Sequence, residues 1–146
     1  MAAIQSPVAG SRTPANANVT PVSKNVRRFL ASSISSVPQL EALLLLCAEG
    51  GAAREWDGPT IASRIYQPER DTLSMLDELA GIGLLERLSE MPLRFRYAPR
   101  TPEISAAVRE VAAAYATHLV AITQIIHAKR DVNAVRFADA FRWRKE

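Results

Sequence analysis

The sequence predicts a mainly helical α+β domain, and three observations carry this prediction. Two short apolar-periodic segments, 57–65 and 68–82, are separated by Gln67-Pro68, and the proline ring disfavours helical geometry at the residue before it. Strict alternation of apolar and basic residues over 93–97 indicates a half-buried strand. A helical pattern without internal glycine or proline then runs over 103–130, so helices dominate the predicted fold.

Composition excludes several classes of protein. The 146 residues suffice for one core, and a hydrophobic content of 48% excludes a wholly disordered chain. No apolar run approaches the roughly 20 residues that a membrane-spanning helix needs. The single cysteine excludes an internal disulfide framework and suits a reducing compartment, so we expect a cytoplasmic protein.

The positive charge is concentrated at the amino terminus. Residues 1–28 hold four basic residues and no acid, whereas the remainder holds fourteen bases and fifteen acids. Residues 1–25 also lack a periodic apolar face, which predicts a disordered basic arm. Contact of this arm with DNA phosphates, a solvated tail without a role and an organelle transit peptide all remain open.

Two further helices are predicted ahead of these elements. Segment 25–35 has four apolar residues along one side, Val26, Phe29, Leu30 and Ile34. Ser36 and Gln39 match the capping box that begins a helix. The stripe of this second helix consists of Leu40, Leu43, Leu44 and Cys47, and Gly50-Gly51 ends it. We therefore expect Cys47 to be an ordinary buried thiol.

The two short helices have clear starts, inward faces and ends. Asp57 is suited to cap the first helix, and Pro59 suits its first turn. Its inward residues are Ile61, Ala62 and Ile65. The inward residues of the second helix are Leu73, Leu76, Leu79 and Ala80, and Gly83 is placed to end it.

A two-stranded ribbon is predicted after these helices. Its strands cover 84–88 and 93–97, and a turn over 89–92 joins them. In the second strand, alternation puts Leu93, Phe95 and Tyr97 on one face and Arg94 and Arg96 on the other. The ribbon therefore exposes arginines on its outer face.

The long helical pattern predicts a surface for a partner. Thr101, Pro102 and Glu103 supply a cap, a first-turn proline and an acid near the positive end of the helix dipole. Alternating four- and three-residue steps form a coiled-coil-like seam of Ile104, Val108, Val111, Tyr115, His118, Ile122 and Ile125. A helix of about 44 Å is longer than a small domain needs. We expect a homodimer, and the alternative is a helix that folds back on its own domain.

The carboxy-terminal tail, 131–146, continues helically with aromatic and basic residues. Phe137 and Phe141 form an apolar edge, which we expect to pack on the partner subunit as part of the dimer interface. The alternative is that the basic run 142–145 contacts nucleic acid.

This succession of elements resembles a known fold. The resemblance is carried by Ile61-Ala62-x-x-Ile65 and by Leu76-x-x-Leu79-Ala80-x-x-Gly83-Leu84-Leu85-Glu86-Arg87. They resemble the winged helix-turn-helix fold, and are most similar to the MarR-type bacterial transcription regulators over about residues 36–130. The resemblance implies a winged-helix domain over 26–100, with a small β-hairpin wing, and a dimerisation region over 101–146. It also implies that Trp56 lies in a short edge strand beside the wing.

The resemblance further implies binding of double-stranded DNA. Helix 68–82 would enter the major groove, with Arg70, Thr72 and Ser74 as the groove candidates. The candidates for phosphates or the minor groove are Arg64, Arg94 and Arg96. A small-molecule effector is also typical of such regulators, although no residue identifies one.

The charge of the predicted DNA-reading segment conflicts with this function. Segment 57–83 holds two bases and five acids, whereas affinity for DNA depends mainly on neutralising phosphates. Two hypotheses therefore stand. The first is a dimeric DNA-binding regulator, and the second is a winged-helix module that binds a basic protein and no DNA.

The sequence does not predict an enzyme. His118 and His127 are nine residues apart on one predicted helix and therefore lie on opposite faces. The sequence has no second cysteine for a zinc site and no Gly-x-Ser-x-Gly motif. We therefore expect no catalytic residue, no metal and no cofactor.

Overall fold

Six helices and a three-stranded sheet make up residues 22–129, the part of the chain that the computed structural model describes. The helices are α1 (Lys24–Ser33), α2 (Val37–Ala48), α3 (Gly58–Arg64), α4 (Glu69–Gly81), α5 (Pro102–Thr117) and α6 (Leu119–Lys129). The strands are β1 (Glu55–Asp57), β2 (Leu85–Glu90) and β3 (Leu93–Tyr97), and a short 3-10 turn, Gly51–Ala53, precedes β1. Most of the predicted arm, together with Phe137 and Phe141, lies outside the described residues.

Helices α2, α3 and α5 begin at the predicted caps. Ser36 Oγ accepts a hydrogen bond from the Gln39 amide at 3.3 Å, and Thr101 Oγ1 accepts one from the Ile104 amide at 3.1 Å. Asp57 Oδ1 accepts from the Thr60 amide at 2.7 Å. Each cap satisfies an amide that has no partner within the helix, so these starts follow from local chemistry.

The cap at Asp57 gives a stability prediction. The hydrogen bond from the Thr60 amide holds the pKa of the Asp57 carboxyl below its usual value, and the charge of Arg94 adds to this. Replacing Asp57 by Ala should lower the free energy of unfolding by about 1 kcal/mol at pH 7, measured by urea denaturation. Because the folded-state pKa is lowered, this contribution is complete above about pH 4 and is lost as the pH falls through the folded-state value.

Asp57→Asn is the matched control, because an asparagine side chain also caps a helix. It should retain the part of the stability that comes from capping at pH 7, and it should lack the pH dependence, which needs the charged carboxylate. Equal losses in Asp57→Asn and Asp57→Ala would contradict the capping role of the carboxylate.

The sheet has the order β1-β3-β2, and both pairs are antiparallel. Trp56 in β1 pairs with Phe95 in β3, so the expected edge strand is present. The turn predicted over 89–92 is longer than the observed one. Strand β2 extends to Glu90, and Glu90 pairs with Leu93 in β3. The Ser89 hydroxyl donates to the Pro92 carbonyl oxygen at 2.7 Å, which closes this shorter connection.

The core lies between the sheet and the surrounding helices. Helices α3 and α4 and strand β3 direct their predicted apolar faces into this core. The buried residues are Ile61, Leu76, Leu79, Phe95 and Tyr97. Cys47 is only half-buried, because it lies in the last turn of α2, where the helix reaches the surface. Burial raises the pKa of the neighbouring Tyr97 hydroxyl to about 12.

A buried amide connects α2 to α4. Gln39 is almost completely buried, and its side-chain oxygen accepts a hydrogen bond from the Ser35 amide at 2.7 Å. Its side-chain nitrogen donates to the Met75 carbonyl oxygen at 3.2 Å and to a Glu78 carboxylate oxygen at 2.9 Å. The polar atoms of Gln39 are therefore satisfied, which is the condition for burying an amide without a large penalty.

The prediction of one uninterrupted helix from 101 to 130 is wrong. Helix α5 ends at Thr117, and α6 leaves it at an angle of 115°. At the break, His118 has φ −134°, and the Thr117 Oγ1 and His118 Nδ1 atoms are 2.8 Å apart. The bend directs α6 back towards α1, where Lys129 Nζ donates to the carbonyl oxygen of Ile34 at 2.9 Å. The helical segment therefore folds back on its own domain.

This packing removes three residues from the predicted dimer seam. Val108, Val111 and Ile122 are completely buried inside the described part of the chain, so they present no surface to a partner. The other seam residues are partly exposed: Ile104, Tyr115, His118 and Ile125. A coiled-coil seam would need one continuous helix, which the break at His118 excludes.

No single helix among residues 22–129 is both long enough and apolar enough to span a membrane. Two bent helix pairs, α1 with α2 and α5 with α6, meet the criterion only when their members are taken together.

Candidate nucleic-acid interface

Helices α3 and α4 are joined by a tight turn. Helix α3 ends at Arg64, and the Gln67 amide donates to the Ala62 carbonyl oxygen at 3.0 Å. Tyr66 takes the left-handed conformation that this turn requires, with φ +58°, and its side chain is 89% exposed. Pro68 then precedes the first turn of α4, so the chain reverses within four residues, 65–68.

Helix α4 exposes mostly acidic side chains. Arg70 and Ser74 are exposed, as a role in the groove requires. The other exposed charged residues of this helix are all acids: Glu69, Asp71, Asp77 and Glu78. This surface therefore has one positive and four negative charges, and the acidic character noted in the sequence persists on it.

The prediction that Thr72 faces the groove is wrong. Its side chain is completely buried, and its hydroxyl donates to the Pro68 carbonyl oxygen at 2.9 Å. A threonine hydroxyl commonly bonds to the carbonyl one turn earlier when it sits inside a helix. The Thr72 hydroxyl therefore bonds within its own helix and presents no donor to a base.

The wing arginines project outward as expected, but each of them pairs with a carboxylate. Arg94 Nη1 lies 3.5 Å from Glu55 Oε1, and Arg96 forms a salt bridge with Glu86. Glu55 belongs to β1 and Glu86 to β2, so acids flank the arginines of the central strand on both sides. With Asp57 opposite Arg94 in the register, the solvent face of the sheet carries three acids and two bases.

Arg64 belongs to a separate cluster at the end of α3. It pairs with Glu49, which also lies 3.7 Å from Arg54, and the hydrogen bond from Arg64 holds the pKa of the Glu49 carboxyl below its usual value. The Arg54 guanidinium stacks 3.6 Å above the centre of the Trp56 ring. Arg64 is therefore exposed and ion-paired, and these contacts orient it towards α2.

Sequence reasoning missed the acidic partners of these arginines. Glu55 and Glu86 come close to the wing arginines only when the strands pair, and Glu49 meets Arg64 only when the helices pack. A further pair, Arg87 with Asp77, ties β2 to α4. Within residues 22–129 there is no group of three His, Cys, Asp or Glu side chains that could hold a metal ion.

The described elements are those of one fold: two helices joined by a tight turn, then a hairpin whose inner strand pairs with a short edge strand. The chain has a winged helix-turn-helix fold. No protein-family model matches it, and no curated protein matches it.

Solved structures with similar folds include several transcription regulators. The multiple antibiotic-resistance repressor MarR from Listeria monocytogenes is 11% identical, with a TM-score of 0.46 over 95% of this chain and 88% of that one. A MarR family protein from Bacillus stearothermophilus is 17% identical, with a TM-score of 0.46 over 93% and 97%. The transcriptional repressor CouR, bound to p-coumaroyl-CoA, is 22% identical, with a TM-score of 0.47 over 92% and 89%.

Proposed function

We propose that this chain is a cytoplasmic transcription regulator that binds double-stranded DNA through α4 and the wing, β2 and β3. The observation that carries the proposal is the outward pair Arg94 and Arg96 on the wing. The side chain of Arg94 is 47% exposed, and its partner Glu55 is 49% exposed. Exposed ion pairs of this kind contribute only about 0–1 kcal/mol, so the closely spaced phosphates of a duplex can displace the carboxylates.

Arg70 and Ser74 are the proposed groove contacts, because both are exposed in the first half of α4. The acids of α4 oppose this function less than their number suggests. Asp77 and Glu78 are exposed but already have partners, because Asp77 pairs with Arg87 and Glu78 accepts a hydrogen bond from Gln39. Glu69 and Asp71 lie in the first turn, where the helix dipole offsets part of their charge.

The proposal includes a homodimer, because regulators with this fold commonly read two half-sites. The surface that we propose for it consists of Ile104, Tyr115, His118 and Ile125, with Phe137 and Phe141 of the tail. Leu119 and Val120, which are 51% and 67% exposed at the start of α6, add apolar area to this surface.

A small-molecule effector is part of the same proposal. A cleft of about 490 Å³ lies between α1 and α5, and its apolar lining includes Phe29 and Ile104. The cleft also borders Ile82 and Leu84, which connect α4 to the wing. A ligand bound there would contact the segment that orients both DNA-binding elements.

The test of DNA binding is selection of bound sequences from a pool of random duplexes at moderate salt, followed by titration of the full chain with the enriched duplex. We expect an enriched motif and an affinity that falls steeply with salt. If the two wing arginines of each subunit in a dimer contact phosphates, the slope of log affinity against log salt should be about −3.6 or steeper. No enrichment, together with no salt-dependent binding to any duplex, would overturn the proposal.

A second candidate function is a winged-helix module that binds a basic protein segment. The surface of α4, with four acids and one base, favours it. This module would not bind duplex DNA, would remain a dimer and would bind a lysine-rich peptide in a salt-dependent manner. Parallel titrations with a duplex and with such a peptide therefore distinguish the two candidates.

A further inference from the structure

Each wing arginine contacts a carboxylate from a different neighbouring strand. Glu55 reaches Arg94 from the edge strand β1, and Glu86 reaches Arg96 from β2. In the register, both Glu55 and Glu86 stand opposite Arg96. Glu86 therefore pairs with Arg96 directly across the hairpin, and Glu55 reaches Arg94 diagonally. The two acids are therefore held beside the guanidinium groups by the sheet itself and do not depend on flexible loops.

This arrangement affects any approach to a duplex. Sequence-independent binding of a protein to DNA depends almost entirely on the neutralisation of phosphates by basic side chains. On this wing, a phosphate must first replace a carboxylate, and the displaced carboxylate then remains close to the DNA backbone and repels it. Only additional contacts between α4 and the DNA compensate for the broken ion pairs and for this repulsion.

We propose that Glu55 and Glu86 attenuate non-specific DNA binding, so that stable binding requires base contacts by α4. The inference rests on the proposed function. Glu55 and Glu86 act as positioning residues, because they control the arginine side chains and do not themselves bind DNA. The rest of the described chain supports this role, since residues 22–129 without these two glutamates and two arginines hold ten basic and ten acidic residues and supply no net attraction for a duplex.

The test is the double variant Glu55→Gln/Glu86→Gln, which keeps the size of both side chains and removes their charge. Its affinity for a duplex of random sequence should rise about tenfold, because two surface ion pairs no longer compete. The salt slope should also steepen by up to about 2 per subunit. Fluorescence anisotropy at several salt concentrations measures both quantities, and circular dichroism checks that the fold is retained.

The matched control is Glu103→Gln/Glu110→Gln, which makes the same change in net charge on α5, outside the sheet. Equal tightening in this control would overturn the inference, because the effect would then come from total charge and not from the wing. Unchanged affinity of the wing variant, in a protein that binds its selected duplex, would also overturn it and leave the proposed function standing. If neither the natural chain nor the variant binds any duplex, the proposed function fails and the inference fails with it. Binding by the variant alone would support the inference.

Discussion

Replacing Phe95 by Ala is expected to lower the free energy of unfolding by about 3–5 kcal/mol. Phe95 is completely buried in the middle of β3, the central strand, and it pairs with Trp56 on one side and Arg87 on the other. The substitution leaves a cavity in close-packed surroundings and removes a large apolar side chain from the core between the sheet and the helices. Urea denaturation followed by far-ultraviolet circular dichroism measures the loss.

Leu93→Ala is the control for this variant, because Leu93 lies on the same face of the same strand but is only partly buried. It should lose clearly less stability, about 1 kcal/mol. If Phe95→Ala is too unstable to purify, Phe95→Leu retains most of the volume and should show a smaller loss in the same direction. A loss below about 1 kcal/mol for Phe95→Ala would contradict the central place of this side chain in the core.

Neutralising the wing with Arg94→Gln/Arg96→Gln is expected to weaken binding to the selected duplex by at least tenfold. Each lost phosphate contact should reduce the salt slope by about 1, so the slope should fall by about 2 per subunit. Charge reversal with Arg94→Glu/Arg96→Glu should remove measurable binding, because five acids of each subunit would then be adjacent on the wing and edge strand. Anisotropy titration at several salt concentrations measures these effects.

Arg27→Gln/Arg28→Gln is the matched control, since both residues are exposed on α1 and the change in net charge is the same. This control should bind the duplex nearly as the natural chain does. Equal weakening by both pairs would mean that total charge, and not the wing, governs affinity. Full affinity without Arg94 and Arg96 would show that DNA contacts another surface.

The elements that local chemistry determines could be predicted from the sequence. Ser36, Asp57 and Thr101 each cap a helix. The capping bond joins a side-chain oxygen to the amide three residues later, so it does not depend on tertiary contacts. The alternation around Phe95 likewise identified the face of β3 that lies on the core. The helix-turn-helix and the outward wing arginines follow from such patterns.

Features that depend on distant contacts could not be predicted. Helix α5 ends at Thr117 because burial of Ile122 against the rest of the domain is more favourable than continuing a helix into water. Thr72 matched the spacing of a groove residue, but burial placed its hydroxyl inside the helix. The pairing of Glu86 with Arg96 requires the hairpin register, and a turn predicted over 89–92 shifts that register by one residue.

Gln39 fixes the position of α4, the helix that we propose reads DNA. Its single amide group bonds to the backbone ahead of α2, to the backbone of α4 and to an acidic side chain of α4. Because these bonds are directional, a shift of α2 that breaks them would release the carboxy-terminal half of α4, while contacts between apolar side chains tolerate the same shift. A residue in the interior of the protein therefore limits the motion of the surface that we propose faces the nucleic acid.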